Sequence, residues 1–221
     1  MDFQLKVLLL IFCVVLIFSC KSVNKPYNYK RFPDNFSEIQ RDYENYYYLN
    51  ACEPGETIAS IGAGNGIKEI QISCFIEEIT WYLQEIDSSR LYQFEEVLAY
   101  RENLIGSSIS ADFNLVLGTE NSTSLPHGIF NRILMLNVFH EIESRDEIMM
   151  EIHQLLDEDG LLIIMERIGK TEGEIHSDCG YSKLMEPIVL QEMNDYGYRL
   201  KRKQLGEEMS NLMFYTFDSK K

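Results

Sequence analysis

The chain is 221 residues long, with 45% hydrophobic and 25% charged residues, which suits one sizeable globular domain. Its 35 acidic residues against 20 lysines and arginines give a net charge of −15, which repels phosphate backbones and argues against DNA or RNA as a partner. The basic runs Lys201–Lys203 and Lys220–Lys221 are too short to reverse that sign and read as solvated strand and tail ends.

Met1–Lys6 carries one lysine, and Val7–Phe18 is unbroken apolar sequence. That run is short of the roughly 20 residues a spanning helix needs and fits the apolar core of a secretory signal. Ile17-Phe18-Ser19-Cys20 then resembles the lipobox of bacterial lipoproteins, although Phe18 is bulkier than the common pattern. The resemblance implies a signal peptide over residues 1–19, a lipidated Cys20 and a tether over 20–35. A domain over 36–221 would then be anchored to the bacterial cell envelope at the periplasmic face. The alternative is an unprocessed anchor, with Cys20 an incidental thiol and the domain on the cytoplasmic face.

Phe36, Ile39, Tyr43, Tyr46 and Tyr47 predict an amphipathic helix over 36–49, and Glu53-Pro54-Gly55-Glu56 a turn. Strands are predicted over 57–61, 79–86, 113–117, 132–138 and 161–165, with helices over 66–77, 89–104 and 145–156. Ser144 is the expected cap of the last helix, and Asp159-Gly160 the turn before the fifth strand. After a helix over 184–195, strands over 198–205 and 212–217 form a hairpin at the sheet edge. The alternation predicts an α/β fold: a Rossmann-like, doubly wound, mostly parallel seven-stranded sheet with a C-terminal antiparallel hairpin.

Ile58-Ala59-Ser60-Ile61-Gly62-Ala63-Gly64-Asn65-Gly66 runs a buried strand into a tight glycine turn and then a helix. Without side chains the turn lets a ligand press against the backbone, at the sheet end where such folds bind ligands. The G-x-G-x-G spacing differs from the G-x-G-x-x-G of dinucleotide enzymes, which disfavours a nicotinamide-dependent oxidoreductase.

This run resembles the first motif of class I S-adenosylmethionine-dependent methyltransferases. Further segments resemble that family's later motifs in order: Tyr82–Asp87, Gly118-Thr119-Glu120 with Leu125-Pro126, Asn131–Ile142 and Leu155–Ile164. The likeness covers Thr57 to about Glu166. It implies S-adenosylmethionine as cofactor, held by Ser60, Gly62, Ala63, Gly64, Asn65, Gly66, Asp87, Thr119, Glu120 and Asn137. Asp87 would take the ribose hydroxyls, its other reading being a helix cap, and Thr119 or Glu120 would lie at the adenine. Two departures stand out. Ser60 occupies the position of an acid that commonly orients the methionine amino group, and Asn131 replaces a frequent aspartate.

Methyl transfer needs a placed nucleophile, and a base only where the acceptor arrives protonated. His140 and Glu141, at the end of the fourth strand, are the candidates for that role. The other reading has His140 bonded to backbone and Glu141 facing solvent. His127 and His153 read as loop and helix-surface residues. His176 and Cys179 make an H-x-x-C spacing in a loop over 170–181 near the substrate mouth, which by itself is no metal site, so no metal is expected. Cys74 reads as a small core residue; a Cys52–Cys179 bridge is left open. The expected function is methyl transfer to a small-molecule or peptide-like acceptor, with a lipid-anchored, non-catalytic binding module of the same fold as the alternative. The sequence does not address oligomeric state.

Overall fold

A computed structural model describes residues 35–44, 52–177, 179–206 and 211–219. The expected signal peptide, Cys20 and the expected tether up to residue 34 lie outside the described residues. The first helix, α1, spans Phe36–Asp42, and the rest of the 36–49 helix expected there falls partly on undescribed positions. Among the described residues, no helix is long and apolar enough to cross a membrane.

Seven strands form one sheet: β1 (Thr57–Ile61), β2 (Ile79–Glu85), β3 (Ala111–Leu117), β4 (Phe130–Leu136), β5 (Leu156–Arg167), β6 (Tyr198–Leu205) and β7 (Leu212–Ser219). Their order is β3-β2-β1-β4-β5-β7-β6. The first five strands pair in parallel, and β7 joins β5 antiparallel with β6 at the edge. The α/β, doubly wound sheet with a C-terminal antiparallel hairpin is therefore present as expected.

The central strands are apolar on both faces because helices cover both. Ile61, Ile133, Met135 and Ile164 pack in one cluster with Ile148 and Ile152 of α5 (Arg145–Leu155) and Val189 and Met193 of α6 (Glu186–Asp195). Strand alternation turns the equally buried Ile58, Leu134 and Ile163 to the opposite face. There α2 (Ile67–Ser73) is tied to β2 by the Trp81 indole N–H, which donates to Ser73 Oγ at 2.8 Å.

Several elements differ from the sequence expectation. The helix expected over 89–104 is two, α3 (Ser88–Leu91) and α4 (Phe94–Ile105), broken at Tyr92–Gln93. β5 begins at Leu156, and the expected Asp159-Gly160 turn is instead an irregularity inside it: Phe130 pairs with Leu156, but Arg132 pairs with Leu161. Ser144 occupies the N-cap position of α5 without a side-chain capping bond. Asn131 has a structural task, accepting from the Thr57 N–H at 2.8 Å and donating to Asp157 at 2.6 Å. It pins the amino ends of β1, β4 and β5, far from the glycine turn.

Candidate active site

β1 connects to β2 on one side and, further along the chain, adjoins β4 on the other. The crevice of an open α/β sheet lies at this change of direction, beyond the carboxyl ends of the strands. Ile61 pairs with both Gln84 and Met135, so the glycine loop after it emerges between the ends of β2 and β4. Gly62, Gly64 and Gly66 all have left-handed φ, from 63° to 74°. A Cβ on Gly62 would lie 2.4 Å from Val138, so loop and β4 turn touch there. A Cβ on Gly64 would meet only Arg90 Nη1 at 3.9 Å, which leaves that face open for a ligand.

The loop's N–H groups are already engaged. Gly62 donates to Gln84 Oε1 at 3.3 Å, Ala63 to the Gln84 carbonyl at 3.0 Å and Gly64 to Glu85 Oε2 at 2.9 Å. Gly66 donates to the Ala63 carbonyl. Asn65, between them, is buried. The other Glu85 oxygen accepts from the Ile86 and Asp87 N–H groups at 2.8 and 3.1 Å. A buried carboxylate thus sits under the loop at the end of β2.

Two acids thus stand at this end of the sheet. β2 ends at Glu85, and Asp87 caps α3, its carboxylate accepting from the Ser89 N–H at 2.9 Å and hydroxyl at 2.7 Å. Those bonds hold the Asp87 carboxyl below its ordinary range. Glu85 was not among the residues expected at the site, although it is two positions from one that was.

Ser60 is fully buried, and its hydroxyl donates to Glu69 Oε1 at 2.6 Å. Glu69 lies in α2, and its second oxygen is buried without a partner among the described residues. Burial raises the Glu69 carboxyl above its usual value. Beside it, the Lys68 ammonium donates to the Leu136 carbonyl, and burial draws its pKa down.

Asn137 follows β4 with φ 62° and a buried Oδ1 that has no partner among the described residues. A left-handed asparagine is tolerable, but an orphaned buried oxygen beside a crevice marks a position for a ligand. Thr119 closes a small turn by bridging to Ser122, and both Thr119 and Glu120 are exposed beyond β3.

His140 lies in a 3-10 turn over Phe139–Glu141 and is buried. Its Nδ1 contacts Glu166, at the end of β5, at 2.9 Å, and its Nε2 lies 3.4 Å from Cys179 Sγ and 3.5 Å from Glu141 Oε1. Neither reading of the sequence anticipated this: His140 is held by a buried carboxylate rather than by backbone. His176 stacks on His140 with ring centres 3.9 Å apart, and burial keeps its imidazole below its ordinary pKa range. The 170–181 loop thereby reaches the turn after β4. His153 is not a free surface residue; it contacts Ser219 and the Tyr196 carbonyl and stacks on Tyr198. Cys52, Cys74 and Cys179 are free thiols, and burial pushes the Cys52 thiol up to about 12. A separate hollow lined by Tyr43, Cys52, Phe75 and Glu77 lies at the amino ends of β1 and β2, away from the glycine loop.

No protein-family model matches the chain, and no curated protein resembles it in sequence. Solved structures do resemble it. A SAM-dependent methyltransferase from Aquifex aeolicus superposes with a TM-score of 0.63 at 19% identity, over 83% of this chain and 93% of that one. The chain has the methyltransferase fold. The glycopeptide N-methyltransferase MtfA gives a TM-score of 0.61 at 15% identity, over 83% and 89% of the two chains. The [4+2]-cyclase SpnF gives 0.57 at 16%, over 78% and 61%. The methyltransferase fold thus also carries a cyclase, and function must be argued from the site.

Proposed function

We propose that the chain binds S-adenosylmethionine between the glycine loop and the end of β4 and transfers its methyl group to a small-molecule or peptide-like acceptor. The observation that carries this reading is the state of the loop's N–H groups. Those of Gly62, Ala63, Gly64 and Gly66 are bonded within the protein, and a carboxylate underlies them. A pyrophosphate would find no donor among these four and a repelling charge beneath. A cofactor without phosphate, lying on the open face of Gly64, meets neither obstacle.

In this reading Glu85 receives the ribose hydroxyls while Asp87 keeps its capping task. Ser60 and Glu69 together face the methionine amino group. Asn137 offers its unpartnered oxygen to the same end of the cofactor, and Thr119 and Glu120 flank the adenine. Bound there, the cofactor supplies an electrophilic sulfonium methyl group. His140, oriented by Glu166 and flanked by Glu141, takes the proton of an acceptor that arrives protonated. The lipobox-like Ile17–Cys20 adds the proposal that the domain is lipid-anchored at the periplasmic face of a bacterial envelope.

The test is incubation with S-adenosylmethionine carrying a labelled methyl group and pools of small-molecule and peptide acceptors. Label should appear in an acceptor with release of S-adenosylhomocysteine, and Gly64→Val should abolish both. Cofactor binding with no transfer to any pool would instead support the non-catalytic binding module.

A further inference from the structure

Beside the end of β4, five potential ligand side chains converge from three segments of the chain. His140 and Glu141 follow β4, Glu166 ends β5, and His176 and Cys179 come from the loop after it. The ligand atoms of His140, Glu141 and Cys179 lie within 4.8 Å of one another. Two of the separations are 3.4 Å (Nε2 to Sγ) and 3.5 Å (Nε2 to Oε1). Nitrogen, oxygen and sulfur at ordinary bond lengths from one tetrahedral zinc ion stand about 3.3–3.6 Å apart. The spacing therefore already matches a coordination sphere.

We propose that His140 Nε2, Glu141 and Cys179 bind a divalent transition-metal ion of the zinc class. Two further features support it. Glu166 contacts the other ring nitrogen of His140 at 2.9 Å, the carboxylate–histidine arrangement that fixes the tautomer and aims Nε2 at a metal. His176 stacks on His140, is 4% exposed, and its Nε2 has no partner among the described residues. Imidazole, thiolate and carboxylate together select zinc-like ions over magnesium or calcium. Binding releases the Cys179 thiol proton to water, since the thiolate is the ligand. With three protein ligands the ion would keep one position for water or an acceptor heteroatom, whose pKa it would lower.

The site does not depend on methyl transfer, so the metal is tested alone. Full-length protein, stripped with chelator and kept reduced, is titrated with Co²⁺. One equivalent should produce a sulfur-to-cobalt charge-transfer band and the visible bands of tetrahedral cobalt, and zinc should bleach both. Cys179 is exposed, so Cys179→Ser keeps the fold and should lose the charge-transfer band, whereas Cys52→Ser should retain it. Glu166→Gln should weaken affinity about 10–100-fold. Absence of the band in folded protein, or its survival in Cys179→Ser, would overturn the assignment.

Discussion

The Ser60 hydroxyl donates to Glu69 Oε1 across 2.6 Å, joining the end of β1 to α2 in a fully buried pair. A carboxylate that β1 itself lacks is thus delivered nine residues later, from the helix that follows the glycine loop. Its second oxygen has no partner among the described residues, which costs stability and leaves an acceptor for a cationic group.

That trade gives the first prediction. Burial raises the Glu69 carboxyl, so its contribution to stability is complete below the unfolded value, about pH 4, and is lost as pH rises through the folded value. Glu69→Gln removes this dependence. In melts at stepped pH the variant should gain on the natural protein as pH increases, while binding S-adenosylmethionine roughly tenfold more weakly. A variant that loses stability at high pH, or binds equally well, would contradict the assignment.

The two acids after β2 separate by mutation. Glu85→Gln should weaken cofactor binding about tenfold or more, because it removes charge from a buried group beneath the loop. Asp87→Ala should cost about 1 kcal/mol of stability at most, the worth of a helix cap, and leave affinity within about threefold. The reverse ranking in calorimetry would return the ribose to Asp87.

The glycines divide in the same way. Gly62→Ala forces a Cβ to within 2.4 Å of Val138 at a left-handed φ and should cost about 3 kcal/mol in chemical denaturation. Gly64→Ala meets open space and should cost about 1 kcal/mol, but it fills the face proposed for the cofactor and should reduce affinity more than Gly62→Ala reduces it per unit of stability lost.

Lipid attachment is tested in cells. Labelled palmitate should enter the natural protein and not Cys20→Ser, with processing blocked by globomycin. Label that persists in Cys20→Ser would contradict the anchor.

Much of the fold was legible because apolar runs ended on unmistakable punctuation. Thr57–Ile61 stops at glycine, and β1 has those bounds. The break at Tyr92–Gln93 was not legible, since apolar spacing continues through it. Asp159-Gly160 was read as a turn before the fifth strand, whereas pairing already begins at Leu156 and the two residues lie in an irregularity within β5. At the site, the glycines and His140 were visible as a motif and as a strand end. The strand before Asp87 was read one residue too long, which hid Glu85 at its end. Glu69 and Glu166 gave no sign: each is a single acid in or beside an apolar stretch, and only tertiary contact with Ser60 or His140 gives it meaning. The H-x-x-C pair lacked its partner for the same reason, because His140 is 39 residues from Cys179.

The central claim is most directly tested by calorimetric titration of the purified protein with S-adenosylmethionine and S-adenosylhomocysteine, alongside Gly64→Val. The account predicts one site of micromolar affinity for both ligands, lost in the variant while the fold persists. No heat of binding from folded natural protein, or binding untouched by Gly64→Val, would contradict a cofactor site at the glycine loop.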